Sequence, residues 1–257
     1  MEEQDTKTVP EALGRWLQEH PRLALAFSGG ADSAYLLYAA KACGCDMRAY
    51  CVHTAFTPAF EREDARRMAG ELDAGLTVLE VDILEDGAVR ANPPDRCYHC
   101  KQAIMAAIRK AAAADGYVVL ADGTNASDDA GDRPGMRALA EMGVVSPLRL
   151  CGVTKAALRE YSRRAGLFTA DKPAYACLAT RVPTGTALTA EALGKVERAE
   201  EALRAMGFSD LRVRLLADAA KIQLPAAQFS EAARRREELL AALGGDFTDV
   251  YLDCKTR

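Results

Sequence analysis

The segment Ser28-Gly29-Gly30-Ala31-Asp32-Ser33 has the residue types and spacing best suited to chemistry. Two adjacent glycines let a backbone turn sharply and approach a ligand with no Cβ in the way. A helix predicted to start here offers free N–H groups and the positive end of its dipole, which together favour phosphate. Ser28 and Ser33 add hydroxyl donors, and Asp32 suits a magnesium ion (Mg2+) bridging phosphates. The lysine of a Walker loop is missing, and so is the GxGxxG spacing of dinucleotide folds. The plainer alternative is an ordinary Gly-rich strand-to-helix turn. The flanking serines, the aspartate and the apolar run Leu23 to Phe27 weigh against it.

Cys97 and Cys100 form CYHC, with Lys101 next. That spacing puts two thiols within reach of one metal or of each other. Zinc would need a second ligand pair, and although His99 is at hand there is no second CxxC and no HxxxH. Cys177 stands in AYACLATR, inside a stretch rich in Gly, Pro and Thr. Three thiolates could hold a 4Fe-4S cluster and leave one iron open. Cys43, Cys45, Cys51, Cys151 and Cys254 read as small buried hydrophobes. Arg212 and Arg214 alternate along a predicted strand and so share a face. Their guanidinium forks suit a substrate phosphate, with a solvated, salt-bridged strand face as the alternative. Arg181 and Glu200 are similar candidates.

The elements that would position these residues are legible from periodicity. Strands are predicted at Leu23 to Phe27, Met47 to His53, Leu76 to Val81 and Tyr117 to Asp122. Helices alternate with them at Pro10 to His20, Ala34 to Cys43, Phe60 to Leu72, Lys101 to Ala114 and Lys155 to Ala165. Such alternation implies an α/β fold with a parallel sheet covered on both faces. Residues 166 to 188 have no period and read as a linker or functional loop. Beyond it come a helix at Thr189 to Met206, strands at 211–216 and 220–224, a helix at Ser230 to Leu243 and a last strand at 249–253. This is a small α+β unit. The expected domains are 1–170 and 171–257.

Composition narrows the classes. The 257 residues are 49% hydrophobic and 27% charged, as in an ordinary globular protein. No apolar run approaches the roughly 20 residues of a membrane span. The acidic, polar start MEEQDTKTVPEALGRW does not read as a secretory signal, so a cytoplasmic location is expected. There the eight cysteines would not be disulfides. A net charge of −4 argues against a large nucleic-acid footprint.

SGGADS is similar to the SGGxDS signature of PP-loop pyrophosphatases, which cleave ATP between its α and β phosphates and pass AMP to a substrate oxygen. In order and spacing, FSGGADS, RCYHCK, DGTNASDDAGDRPG (122–135), CLATR followed by VPTGTALT (177–189), and LRVR (211–214) resemble the LarE family over essentially the whole chain. That family consists of ATP-dependent sulfur transferases of nickel-pincer nucleotide cofactor biosynthesis. The resemblance implies a PP-loop, adenine nucleotide alpha hydrolase-like domain, with SGGADS cradling ATP and Gly123 and Asn125 near the nucleotide. It implies a small-molecule substrate, pyridinium-3,5-biscarboxylic acid mononucleotide, whose carboxylate is adenylated before sulfur replaces AMP. It also implies a homo-oligomer. Some members sacrifice the sulfur of the cysteine at the position of Cys177. Others carry three cysteines and a 4Fe-4S cluster, and Cys97, Cys100 and Cys177 place this chain with them. A PP-loop tRNA thiolase with a similar cluster is the main rival, disfavoured by the acidic charge. An ammonia-using synthetase would bring a glutaminase domain, which is not seen.

Overall fold

The structure is a computed structural model that describes residues 8–128 and 134–256. Residues 129–133 of the DGTN segment and the first seven of the acidic start therefore lie outside the described residues. In chain order the first elements are α1 (Glu11–Glu19), β1 (Arg22–Ala26), α2 (Ala31–Ala42), β2 (Asp46–His53), α3 (Ala59–Glu71) and β3 (Leu76–Glu80). Then come α4 (Gly87–Arg90), α5 (Arg96–Ala114), β4 (Leu120–Ala121), α6 (Pro134–Glu141), α7 (Pro147–Leu150) and α8 (Lys155–Arg164). A 3-10 turn at Leu178–Arg181 leads to α9 (Ala190–Ala205), β5 (Arg212–Leu216), β6 (Ala219–Gln223), α10 (Ala226–Arg234), α11 (Arg236–Leu243) and β7 (Val250–Leu252).

The chain forms two compact units. The first comprises the described residues of Met1–Thr54, Ala59–Val81 and Asp95–Ala174. Its sheet has the order β3-β2-β1-β4, with every pair parallel. One face packs Leu23, Leu25 and Phe27 against Leu36, Leu37, Met68 and Leu158. The other packs Ala24, Tyr50 and Leu120 against Met105 and Ile108 of α5 and Leu139 of α6. Burial on both faces explains why β1 reads as a continuous apolar run rather than an alternating one. The chain winds from β1 out to β3 and returns to β4 on the other side, so the strand order reverses at β1. Ligands of open parallel sheets bind outside the carboxyl ends of the strands at such a reversal. The glycine segment leaves β1 there.

The second unit comprises Ala55–Pro58, Asp82–Pro94 and Tyr175–Arg257. Its sheet, β5-β6-β7, pairs β5 with β6 antiparallel and β6 with β7 parallel. Leu203 of α9, Val213, Ile222 and Leu239 of α11 share its core. No helix among the described residues is long and apolar enough to cross a membrane.

The helices α4, α6 and α7 were not expected, and three expected elements differ in extent. α5 begins at Arg96 rather than Lys101, so the CYHC pair lies on its first turn. The strand expected over 117–122 shortens to Leu120–Ala121, because the Tyr117 N–H closes the end of α5 on Ala112 O at 2.8 Å. The helix expected over 230–243 is two helices parted at Arg235 (φ −92°, ψ 24°). The Arg235 guanidinium bonds Met206 O at 2.8 Å, and that anchor outweighs helix continuity.

Candidate functional site

The loop after β1 is built by close approach. Phe27 N–H bonds Tyr50 O at 2.9 Å, the last tie to the sheet before the turn. Gly29 has φ +71°, and a Cβ there would lie 2.8 Å from the Cα and Cβ of Ala65 in α3. Gly123 comes as near on the other side: its Cβ would lie 2.8 Å from Ser33 N. Both positions therefore demand glycine. Gly30 precedes α2 and makes no side-chain cap, so side chains leave the helix N-terminus uncapped. Ser28 Oγ and Ser33 Oγ lie 3.2 Å apart, and Gly30 N–H donates to Ser28 Oγ at 3.3 Å. The result is a hydroxyl-lined turn at the positive end of a twelve-residue helix.

Asp32 projects from the first turn of α2. Its two carboxylate oxygens each accept from Lys155 Nζ at 2.8 Å, and Asn125 Nδ2 donates to one of them at 3.3 Å. The DGTN turn is itself fixed. Asp122 accepts from Thr124 Oγ1 at 2.6 Å and from Ser146 Oγ at 2.7 Å. The Asn125 N–H donates to Asp128, while its Oδ1 accepts from Ser127 N–H at 2.8 Å. Ser28, Gly29, Gly30, Asp32, Ser33, Gly123 and Asn125 thus converge on one place. Lys155 was not singled out in the sequence. It stands 123 positions from Asp32, and only the fold joins them.

Cys97 and Cys100, neither in a disulfide, lie on the first turn of α5, at the i, i+3 spacing that shares a helix face. Cys97 is exposed, with Arg96 Nη2 3.7 Å from its sulfur. By contrast, burial pushes the thiols of Cys45 and Cys51 up to about 11, which leaves them protonated and inert. Burial also raises Cys43 and Cys151, whereas Cys254, expected to be buried, is exposed next to the end of the chain's last strand. Among the described residues no three His, Cys, Asp or Glu side chains stand ready-made as a metal cage. Cys97 and Cys100 belong to the first unit and Cys177 to the second.

In the second unit Cys177 directly precedes the 3-10 turn and is half-buried. Arg181 is its anchor. Its guanidinium donates to Ala176 O at 2.6 Å, to Cys177 O at 3.3 Å and to Glu200 through Nε at 2.8 Å and Nη2 at 3.2 Å. Both side chains of this ion pair are 0% exposed. Glu200 also accepts from the Tyr175 hydroxyl, from Arg204 at 3.1 Å and from Val213 N–H at 3.0 Å. Arg181 and Glu200, expected separately at a ligand, are thus brought to each other and hold the backbone at Cys177. Arg214 differs. Its bonds go to the neutral Gln223 Oε1 at 2.5 Å and Thr180 O at 2.8 Å. Arg212 lies two positions before it on β5, opposite Gln223.

No family model matches the chain. Three curated proteins do. An uncharacterised protein of Synechocystis is 35% identical over 86% of this chain and 83% of its own length. Pyridinium-3,5-bisthiocarboxylic acid mononucleotide synthase of Lactiplantibacillus plantarum is 32% identical over 84% of this chain and 79% of its own. An uncharacterised protein of Methanocaldococcus jannaschii is 27% identical over 86% and 84%.

Proposed function

Because the chain belongs to the LarE family, that of pyridinium-3,5-bisthiocarboxylic acid mononucleotide synthase, we propose that it is an ATP-dependent sulfur transferase of nickel-pincer cofactor synthesis. It adenylates a carboxylate of pyridinium-3,5-biscarboxylic acid mononucleotide and exchanges AMP for sulfur. The observation that carries the ATP-site reading is the convergence of Ser28–Ser33, Gly123 and Asn125 at the strand-order reversal.

A carboxylate is a poor acyl donor because oxide is a prohibitive leaving group; adenylation replaces it with AMP. Ser28, Ser33 and the N–H groups at the start of α2 would bind the leaving pyrophosphate and stabilise its charge. Asp32 fits a magnesium site, since its carboxylate already binds a cation symmetrically. The ion, when bound, would neutralise phosphate charge. Arg212 and Arg214 would hold the substrate's phosphate. Supporting this for Arg214, its partners are neutral, whereas the charge of Arg181 is matched by Glu200. Arg181 and Glu200 would serve the reaction by fixing the segment that carries Cys177.

The thiols support a cluster as the sulfur source. Cys97 and Cys100, outside any disulfide and on one helix face, suit two ligands of a 4Fe-4S cluster, with Cys177 as the third. Such a cluster would supply sulfide at its open iron. Anaerobic iron and acid-labile sulfide analysis of wild type beside Cys97→Ala tests this. About four irons per chain, lost in the variant, is the expected result. Iron-free protein that still makes thiocarboxylate would overturn the cluster; Cys177 would then be the donor, and the chain would lose about 34 Da on turning cysteine into dehydroalanine.

A further inference from the structure

The glycine loop has no lysine of its own, yet two lysines from distant positions flank it within the first unit. Lys172 Nζ lies 3.0 Å from Glu61, 2.7 Å from Asp64 and 3.5 Å from Gly29 O. It is only 13% exposed, and two carboxylates more than cancel its charge. Lys172 is a strut between α3 and the loop.

Lys155 stands differently. It is the first residue of α8, after Thr154, whose side chain caps the helix on Ala157 N–H. Its own N–H bonds Ser127 Oγ at 2.9 Å, so the base of the side chain is fixed. Among the described residues its ammonium pairs with one carboxylate, Asp32, and the two side chains are 32% and 31% exposed. The pair is part-buried yet reachable from solvent, so a ligand can reach both partners. Lysine also carries three donors on a flexible four-carbon stem, so it can change partners. The partner it would leave is the carboxylate at the head of α2 that suits a divalent ion.

Resting on the reading of the loop as an ATP site, we propose that Lys155 is the phosphate lysine that the loop itself lacks. It holds Asp32 in the free protein. With magnesium and nucleotide bound, Asp32 would serve the ion and the Lys155 ammonium would turn to the β- and γ-phosphate oxygens. The same contact then retains free pyrophosphate. AMP, which has neither phosphate, does not use Lys155.

Calorimetric titration of the full chain at fixed magnesium tests this, with three probes: α,β-methylene-ATP, inorganic pyrophosphate and AMP. Lys155→Met is expected to weaken the ATP analogue and pyrophosphate about 10- to 100-fold, the loss of a charge-assisted contact. AMP should stay within about twofold, and Lys155→Arg should recover most of the loss. Lys155→Gln, which keeps a donor for Asp32, gives the same readout should the Met variant unfold. Unchanged pyrophosphate binding, or equal weakening of all three probes, would overturn the assignment and leave Lys155 as a brace for Asp32. Wild-type protein that binds neither the analogue nor pyrophosphate would instead sink the ATP-site reading, and the assignment with it.

Discussion

At the residue scale, the glycine loop was legible because its determinants are local. Two glycines, two serines and an aspartate lie within six positions, directly after the strand that aims them. The close approaches give a direct test. Gly29→Ala forces a side chain into the left-handed region and onto Ala65, costing roughly 1–3 kcal/mol for the backbone alone. Gly123→Ala presses on Ser33 N, and overpacking of that kind costs about 1–3 kcal/mol. Denaturant unfolding measures both, and nucleotide affinity should fall in each. The pairing of Arg181 with Glu200 was not legible, since charge in the sequence of α9 reads as a solvated face. Burial is decided by where the helix packs. Removing one partner of so buried a pair, as in Arg181→Met, should cost about 3–5 kcal/mol. In a double-mutant cycle with Glu200→Met, the two single losses should exceed the double loss by more than about 1 kcal/mol. Additive losses would mean that the pair is not coupled.

At the element scale, the parallel strands and the helices over them followed from apolar runs and helical period. The start of α5 did not: Cys, Tyr and His have middling helix propensity, and Asp95 at the N-cap makes no side-chain cap hydrogen bond. Arg96 is nevertheless buried, and packing carries the helix through the CYHC pair. In the second unit β5, β6 and the residue after β7 are tied by side chains. Asp253 accepts from Gln223 Nε2 at 2.8 Å and Lys221 Nζ at 3.1 Å, and Gln223 in turn holds Arg214. The Lys255 backbone N–H, Lys221 and Gln223 hold the Asp253 carboxyl down to about 2. A folded value below the unfolded one contributes stability above pH about 4, and that contribution disappears as pH falls from about 4 toward 2. The stability gap between wild type and Asp253→Asn should therefore be present at neutral pH and close in that window. A gap that persisted unchanged to pH about 2 would deny the charge its role.

At the scale of the whole molecule, the change of pattern beyond residue 165 marks the second unit in sequence, but its full membership is invisible there. Residues 55–58 and 82–94 belong with 175–257. They do so through long-range backbone bonds: Gly185 N–H to Asn92 O and Leu188 N–H to Arg90 O, each 2.8 Å, with Asn92 Nδ2 to Pro183 O at 2.9 Å. A fragment of 175–257 alone should consequently show weaker hydrogen-exchange protection at Gly185 and Leu188 than the full chain. Equal protection would mean that the earlier segments are dispensable. The central claim concerns the chemistry that the chain performs on a carboxylate with ATP, and exchange of labelled pyrophosphate into ATP tests it most directly. The account predicts exchange that requires pyridinium-3,5-biscarboxylic acid mononucleotide and is lost in Asp32→Asn. Release of ADP and phosphate, or no exchange with that substrate present, would contradict it.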